Sequence, residues 1–322
     1  MSMAAVPDPM VLPICSLVGP TVGGRHRCTG VPDSGPMVGA VRRCRTTSVG
    51  GVSEAPTRSE AGAALFLPDG NRLVPTQFAV GPWSSDALHG GPVAALAARA
   101  AESVEGGDEL RLVRITLELL RPVPLTPLAT ASRVVRPGRR VQLIDTVIEA
   151  DGVEVAWSRA LRIRAVPGQP PVLPTVPEDE APVPPSLAGR RPSHDGQPRA
   201  FHNEGVEMRY VTGAFERPGP ATVWFRLRCP VVLGEEPSPW QRAAAAADFG
   251  NGVSAELPLG SSLFINPDLT VALHRPPVGE WVCLEARTRF GAPGMGAAES
   301  ALWDEEGRIG RSVQSLVVEV GR

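Results

Sequence analysis

The stretch that decides the fold is residues 240–252, WQRAAAAADFGNG. Alanine is the strongest helix former, so the five alanines predict a helix, and the glycines after them offer left-handed positions that would end it. A surface helix normally carries charges along one face, and this one carries almost none, which indicates that it is buried. The carboxylate of Asp248 follows directly. Because an unpaired carboxylate is costly in an apolar interior, Asp248 is a candidate functional residue.

The composition of the 322-residue chain excludes several classes of protein. Hydrophobic residues make up 43% and charged residues 20%, as in packed domains, and the length suffices for two of them. A net charge of −2 and a pI near 6.3 give no electrostatic basis for binding nucleic acid or an anionic membrane. No apolar run approaches the roughly 20 residues of a membrane span. The five cysteines have neither zinc-type spacing nor an even count, which predicts a reduced, cytoplasmic protein without a metal site.

Four segments follow from local composition. Residues 1–62 are rich in Gly, Pro, Ser, Thr and Arg without lasting periodicity, so we expect a disordered tail, or an upstream extension produced by a misplaced start. Residues 63–165 and 200–322 have the patterning of two ordered domains. Residues 166–199 between them are proline-rich and predict an extended linker.

The two ordered domains show the same order of elements. In the first, a hairpin over Ala64–Val80 precedes an alanine-rich helix from Pro92 to Ala101. Strands are predicted after it at Leu110–Leu120, Ala129–Val135, Val141–Ile148 and Glu154–Arg164. In the second domain, strands are predicted at Ala221–Cys229, Ser262–Leu273, Glu280–Phe290, Ala297–Asp304 and Ile309–Val320.

The spacing of matching motifs indicates an internal duplication. Arg121-Pro122 and Arg275-Pro276 lie 154 residues apart, and the turn glycines Gly152 and Gly307 lie 155 apart. Each half therefore predicts an antiparallel sheet that curls around a central helix of small residues.

Several short motifs carry a resemblance to a known family. They are Asp248 on its helix, the strand 264–271, His274-Arg275-Pro276 and Ser312-Val313-Gln314, with His89-Gly90-Gly91 and Leu120-Arg121-Pro122 in the first half. Together they resemble the acyl-CoA thioesterase II (TesB-like) family over roughly residues 64–322. The resemblance implies an α+β double hotdog, with two antiparallel sheets each wrapped around a central alanine-rich helix. It also implies hydrolysis of a fatty acyl-CoA thioester by an activated water, without a cofactor.

The resemblance assigns candidate catalytic residues. Asp248 matches the family's aspartate and would act as general base or water orienter; the alternative is a solvent-exposed residue at a helix end. Gln314 matches the family's glutamine, whose amide can both donate to and accept from a water. Strand alternation puts Val313 and Gln314 on opposite faces without saying which face is inside. The family's threonine is replaced here by Asn266, and Thr270 shares its face, so either one could be the third member, with Asp268 a further candidate.

The first half offers a different contribution. A shift of 154 or 155 residues maps Asp248, Asn266 and Gln314 to positions near Ala94, Leu112 and Arg159, in that order. None of these three residues could activate a water in the same way. We therefore expect the second half alone to activate water. Gly90 and Gly91 precede a helix N-terminus, whose free N–H groups attract a developing oxyanion, and His89 could assist in binding substrate. The alternatives are close helix packing for the glycines and a packed turn histidine.

Two other functions stay open. The first is a non-catalytic double hotdog that binds acyl-CoA or another lipid. The second is a hotdog hydratase or dehydratase, which relies on an Asp–His pair, but no histidine follows Asp248 closely. Pairing of hotdog sheets into a homo-oligomer is also expected.

Overall fold

The computed structural model describes residues 63–106, 109–166, 180–189, 198–215, 217–257, 262–291 and 293–320, with Gly168 and Pro192. The expected tail, residues 1–62, lies outside the described residues, as does most of the expected linker. The domain boundaries proposed at either side of the linker stay predictions.

The first half follows the predicted order of elements. Its elements are β1 (Phe66–Asp69), β2 (Arg72–Pro75), α1 (Gly90–Glu102), β3 (Leu110–Leu119), β4 (Leu128–Arg136), β5 (Val141–Ala150) and β6 (Val153–Arg164). Extended structure was expected as far as Val80, but a short 3-10 helix, Gln77–Ala79, follows β2. It forms because the Thr76 side chain accepts a hydrogen bond from the backbone N–H of Phe78 and so caps the turn.

The second half contains one strand that the sequence pattern missed. Its elements are β7 (Val206–Ala214), β8 (Arg217–Leu227), α2 (Pro239–Ala247), α3 (Gly250–Val253), β9 (Ser262–Ile265), β10 (Asp268–Leu273), β11 (Val282–Gly291), β12 (Met295–Asp304) and β13 (Gly307–Val320). The missed strand is β7, which follows a five-residue π-helix, Phe201–Gly205. The strand predicted over Ser262–Leu273 is split at Asn266-Pro267, because proline has no N–H for the sheet ladder.

The strands of both halves form one antiparallel sheet. Its order is β1-β2-β4-β5-β6-β3-β10-β13-β12-β11-β8-β7, with β9 also paired to β13. The two sides of the β3–β10 junction mirror each other, which confirms the double hotdog. The two sheets are not separate, however: they are continuous through β3 and β10.

A pseudo-twofold axis passes through this junction. Thr116 of β3 pairs directly with Thr270 of β10, and the Thr270 hydroxyl lies 3.2 Å from that of Thr116. These two threonines are 154 residues apart, the same offset that separates the two Arg-Pro motifs. The duplication inferred from sequence is therefore also the symmetry of the sheet.

The helices α1 and α2 pack against each other, α1 also against strands β3 to β6 and α2 against β8, β10 and β11. Ten of the 13 residues of α1 are buried, as are all five alanines of α2. This confirms that the alanine helix lies in the interior, where methyl side chains allow close backbone approach. None of the helices in the described part of the chain is long and apolar enough to cross a membrane.

The glycines after α2 do not end it in the way the sequence suggested. The helix ends at Ala247, and its C-cap Asp248 keeps a right-handed conformation with φ −71°. Neither Gly250 nor Gly252 has a positive φ. The chain instead turns and continues as α3, so the prediction of a left-handed glycine terminator was wrong.

One ion pair holds the end of the second Arg-Pro motif. The buried carboxylate of Asp304 accepts hydrogen bonds from both terminal nitrogens of Arg275 and from the backbone N–H groups of Val278 and Glu306. Burial by itself raises the pKa of Asp304, but these hydrogen bonds outweigh burial and hold the pKa below its ordinary value of 3.8.

This depressed pKa predicts a specific pH dependence of stability. The stabilisation is full above the pKa of Asp304 in the unfolded chain and is lost as the pH falls through the lower folded-state value. We expect Asp304→Asn to lower the free energy of unfolding by about 2 kcal/mol at neutral pH. The variant's stability should also depend less on pH in the acid range. Urea unfolding over a series of pH values measures both effects, and equal stability of variant and wild type at neutral pH would contradict the prediction.

Candidate active site

The N-terminus of α1 meets the C-terminus of α2 at one end of the helix pair. His89 is the N-cap of α1 and Asp248 is the C-cap of α2. Their side chains touch, with Nδ1 of His89 2.8 Å from Oδ2 of Asp248. The side chains are 10% and 3% exposed respectively, so the contact is shielded from water. The structure thus joins a first-half residue to a second-half residue.

The Nδ1 atom of His89 has two polar neighbours. It also lies 3.0 Å from the backbone nitrogen of Gly91, and one ring nitrogen cannot accept from Gly91 and donate to Asp248. When Asp248 acts as a base its carboxylate only accepts hydrogen bonds, and in that state Nδ1 would carry the proton and donate to Asp248. The backbone N–H of Gly91 is then not bonded to the imidazole. In the neutral ring, Nε2 is left as an acceptor.

Aromatic rings hold the imidazole in place. The ring centroid of His89 lies 5.1 Å from that of Phe201 and 4.7 Å from that of Phe249. Phe201 begins the π-helix and is fully buried. This segment had been assigned to the second domain without any role, and it forms one wall of the site.

The other oxygen of Asp248 is held by amides. Asn266 donates from Nδ2 to Oδ1 of Asp248 at 2.9 Å. Gln314 donates from Nε2 to the backbone carbonyl of Asp248 at 3.1 Å and lies 3.4 Å from Oδ1. Gln314 is only 1% exposed, which places it on the inner face that strand alternation had left undecided. The side chains of His89, Asn266 and Gln314, from three separate parts of the chain, therefore contact one carboxylate.

A backbone contact sets the orientation of the Gln314 amide. Its Oε1 accepts a hydrogen bond of 3.0 Å from the backbone N–H of Asn251, so Nε2 must face Asp248. The Asn251 side chain in turn contacts the carbonyl oxygen of Phe264. Sequence reasoning missed Asn251 because a backbone N–H in a short helix leaves no residue-type signal.

The glycines at the site allow close approach. A Cβ on Gly90 would lie 2.7 Å from both carboxylate oxygens of Asp248. A Cβ on Gly91 would lie 2.7 Å from the carbonyl oxygen of Ala245 and from the ring of Phe201. These distances are shorter than real contacts, so α1 can meet α2 here only because both positions are glycine.

The structure separates the two residues proposed for the third position. Asn266 contacts Asp248 from the two-residue interruption between β9 and β10. Thr270 lies at the pseudo-twofold axis and bonds Thr116. The carboxylate of Asp268 accepts from the backbone N–H of Ser315 at 2.6 Å.

The opposite end of the helix pair, where the C-terminus of α1 meets the N-terminus of α2, lacks this arrangement, and we call these two ends the poles of the helix pair. Thr116 of β3 pairs with Arg159, and its symmetry mate Thr270 of β10 pairs with Val313. Arg159 is therefore the counterpart of Val313, and the next residue, Ala160, is the counterpart of Gln314. The counterpart of Asn266 is Leu112. Neither side chain can bind a water, in line with the expectation that the second half carries the polar set.

A different carboxylate occupies that opposite pole. The N-cap of α2, Ser238, donates to the side chain of Glu102 at 2.6 Å. Glu102 thus stands where Asp248 stands at the other end, whereas the sequence offset had pointed to Ala94 as the counterpart of Asp248. Desolvation raises the pKa of Glu102, although the bond from Ser238 acts against it. Among the described residues, no group of three or more His, Cys, Asp or Glu side chains could hold a metal ion.

Solved structures share this fold. A hot dog fold protein of unknown function from Alicyclobacillus acidocaldarius aligns with a TM-score of 0.59 at 17% identity, covering 80% of this chain and 96% of that one. The TesB protein of Mycobacterium avium subspecies paratuberculosis aligns with 0.55 at 17%, covering 77% and 92%. An acyl-CoA thioesterase II of Mycobacterium marinum aligns with 0.54 at 14%, covering 72% and 90%. At these identities the likeness shows the fold.

Sequence profiles identify the family. Residues 79–165 match the acyl-CoA thioesterase N-terminal domain, and residues 177–318 match the acyl-CoA thioesterase C-terminal domain. The two matches span most of the chain, which therefore belongs to the acyl-CoA thioesterase family of thioester hydrolases. Comparison with curated proteins gave no significant match.

The two glycines of α3 provide a matched test of the site's packing. A Cβ on Gly250 would lie 2.8 Å from Oε1 of Gln314 and 2.9 Å from the hydroxyl of Ser300, whereas a Cβ on Gly252 would meet nothing within 4 Å. We expect Gly250→Ala to lower the free energy of unfolding by about 2 kcal/mol, because Gln314 must move. Gly252→Ala should be neutral or slightly stabilising. Urea unfolding compares them, and equal effects would contradict the packing described.

Proposed function

We propose that the protein hydrolyses a fatty acyl-CoA thioester through direct attack by a water that Asp248 holds and deprotonates. The observation that carries the proposal is a buried carboxylate, 3% exposed, with a histidine on one oxygen and an asparagine amide on the other. Membership of the acyl-CoA thioesterase family supports the reaction class.

Asp248 is assigned as the general base. Its Oδ2 accepts from His89 and its Oδ1 from Asn266, and a carboxylate has about four lone-pair sites, so capacity to bind a water remains. The water gives its proton to Asp248 and attacks the carbonyl carbon of the thioester. The C–S bond breaks, and the coenzyme A thiolate leaves and takes up a proton, which yields a fatty acid and free thiol.

Asn266 and Gln314 are assigned different roles, one toward the water and one toward Asp248. Asn266 stands where the family has a threonine; its Nδ2 donates to Asp248 and to the carbonyl oxygen of Asp268, so its Oδ1 remains to accept a hydrogen bond from the water. Gln314 was expected to bind the water, but its Nε2 already faces Asp248. We therefore assign Gln314 to orienting Asp248.

The first turn of α1 is assigned to the carbonyl oxygen of the substrate. The N–H groups of Gly90 and Gly91 belong to the N-terminal turn of a helix, where the backbone dipole favours a developing negative charge. His89 is the residue directly before this turn, and it holds Asp248 through Nδ1.

Replacement of Asp248 by Asn tests the base directly. The change keeps the size of the side chain and removes its charge, so kcat/KM for thiol release should fall at least about 100-fold. The assay follows free thiol from a panel of acyl-CoA esters, with circular dichroism as the control for folding. A folded variant with full activity would remove Asp248 from the mechanism.

The assay also decides between hydrolysis and the non-catalytic alternative. A protein that only binds acyl-CoA would show saturable binding by calorimetry and no thiol release in the wild type. Thiol release that is abolished by Asp248→Asn excludes that alternative.

The third position can be tested with a matched pair of variants. Asn266→Ala removes an amide that contacts Asp248, so we expect kcat/KM to fall about tenfold or more. Thr270→Val keeps the shape of the side chain and removes only its hydroxyl, which contacts Thr116, so activity should stay within about twofold. The reverse order of effects would assign the role to Thr270.

One observation favours a second candidate, hydration of a 2-enoyl-CoA. The sequence argument against it was that no histidine follows Asp248, but the fold brings His89 to 2.8 Å from that carboxylate. In a hydratase the pair would add the hydroxyl of water to the β-carbon and its proton to the α-carbon. Loss of the enoyl absorbance without thiol release would select this reaction over hydrolysis.

A further inference from the structure

The segment directly before β7 contains a rare element. Residues Phe201–Gly205 form a π-helix, which is closed by a hydrogen bond from the backbone N–H of Val206 to the carbonyl oxygen of Phe201. Such a bond joins residues five apart instead of four, an arrangement that is uncommon in proteins and occurs often at functional sites. The π-helix therefore marks Phe201, its first residue, as a candidate for a role in the site.

The ring of Phe201 contacts both sides of the candidate active site. Its centroid lies 5.1 Å from that of His89 and 5.4 Å from that of Phe249, and the rings of His89 and Phe249 are 4.7 Å apart. His89 directly precedes α1, and Phe249 directly follows Asp248. We call the rings of His89, Phe201 and Phe249 the aromatic triangle. Through it, Phe201 connects the segment that carries the histidine with the segment that carries the carboxylate.

The backbones of Phe201 and His89 are attached to one short segment. The N–H of Phe201 donates to the carbonyl oxygen of Val80 at 2.9 Å, and the N–H of His89 donates to that of Ala79, also at 2.9 Å. Because two consecutive residues hold the two backbones, the phenyl ring and the imidazole are kept at a defined spacing.

The side chain of Asn203 stabilises the π-helix from within. It belongs to a residue that is 8% exposed. Its Oδ1 accepts a hydrogen bond from the N–H of Ala200, and its Nδ2 donates to the carbonyl oxygen of Pro198, both at 2.8 Å. These two bonds hold the residues just before Phe201, so they fix the direction in which its side chain leaves the backbone.

Two glycines allow the phenyl ring to lie against backbone. A Cβ on Gly205 would be 2.5 Å from the ring of Phe201, and a Cβ on Gly91 would be 2.7 Å from the same ring. Both distances are shorter than real contacts, so a larger residue at either position would displace the ring. The ring is therefore enclosed between the end of the π-helix and the first turn of α1.

The imidazole of His89 needs support from its neighbours. Rotation about the bond between Cβ and the ring of a histidine has broad minima instead of three staggered wells. A half rotation would replace Nδ1 by a ring carbon and would break the 2.8 Å contact with Asp248. The planes of Phe201 and Phe249 meet the imidazole at 62° and 37°, so two rings in different orientations oppose this rotation.

We propose that Phe201 is a positioning residue for the reaction: its ring keeps the imidazole of His89 in the orientation that directs Nδ1 to Asp248. This inference rests on the proposed thioesterase function, in which His89 holds the carboxylate that deprotonates the water. Phe201 acts only through His89. Asn203 and Gly205 support this role, because one holds the backbone of Phe201 and the other leaves room for its ring.

A double-mutant cycle separates positioning from general packing. Phe201→Leu keeps an apolar side chain but removes the ring, so kcat/KM for thiol release should fall about tenfold, mainly through kcat. In a His89→Ala background, the same change should have less than about a twofold effect, because no imidazole remains to be positioned.

Two further variants complete the kinetic test. Phe66→Leu is the matched control, because Phe66 is also fully buried but lies on β1, and it should leave kcat/KM within about twofold of the wild type. Asn203→Ala keeps the ring and loosens its backbone, so kcat/KM should fall about threefold. If Phe201→Leu does not fold, Asn203→Ala answers the same question in both backgrounds.

An NMR measurement observes the imidazole without turnover. In protein labelled with nitrogen-15 at histidine, the signals of the ring nitrogens show which one carries the proton, and their loss in His89→Ala identifies those of His89. The wild type and Phe66→Leu should show one state with the proton on Nδ1. Phe201→Leu and Asn203→Ala should lose this single state.

The two measurements distinguish the failure of this inference from the failure of the proposed function. If the wild type releases no thiol but Phe201→Leu changes the ring signals of His89, the proposed hydrolysis fails and the positioning role stands. If the ring signals of the folded variants match those of the wild type, or if kcat/KM falls equally with and without His89, the positioning role is overturned.

Discussion

The pairing of β3 with β10 is the constraint on which the rest of the structure depends. Thr116 meets Thr270 at the centre of this pairing, and a shift by one residue would turn every inward side chain of one strand outward. In the observed register, the first turn of α1 meets the end of α2. Gly90 then lies against the carboxylate of Asp248, and the energetic cost of burying that charge is offset by His89 and the two amides.

Duplication produced two poles that have since diverged. One pole carries Asp248 with its amide partners. At the other, Arg162 donates to the carbonyl oxygens of Ala101, Glu102 and Val104, which satisfies the C-terminal end of α1. Desolvation lowers the pKa of Arg162 while Glu102 acts against it. A buried arginine that caps a helix thus stands at the pole where a second site would lie, and its role is structural.

Much of the fold could be predicted from the sequence because its signals are local. The alanine run predicts the buried helix, alternation predicts most strands, and the 154-residue offset predicts the symmetry of the sheet. The strand β7 was missed because Glu207, a charged residue, is buried on it between Arg209 and Arg226, which breaks the alternation. Gly250 was misread because close approach to Gln314, rather than backbone conformation, requires a glycine there.

The site was harder to predict because it is assembled from distant segments. Asp248, Gln314 and Asn266 stood out through family resemblance, and geometry now places all three together. The contact between His89 and Asp248 crosses the two halves, so no spacing in the sequence indicates it. Phe201 contacts His89 through its ring, and Asn251 contacts Gln314 through its backbone N–H. Neither contact produces a pattern that can be recognised in a single sequence.

The central claim is that a water held by Asp248 attacks the thioester without an acylated intermediate. A single turnover in water enriched in oxygen-18, quenched and analysed by mass spectrometry, tests it most directly. The account predicts one labelled oxygen in the carboxylate of the released fatty acid and no acyl group on the protein. An acylated protein, or an unlabelled fatty acid from the first turnover, would contradict it.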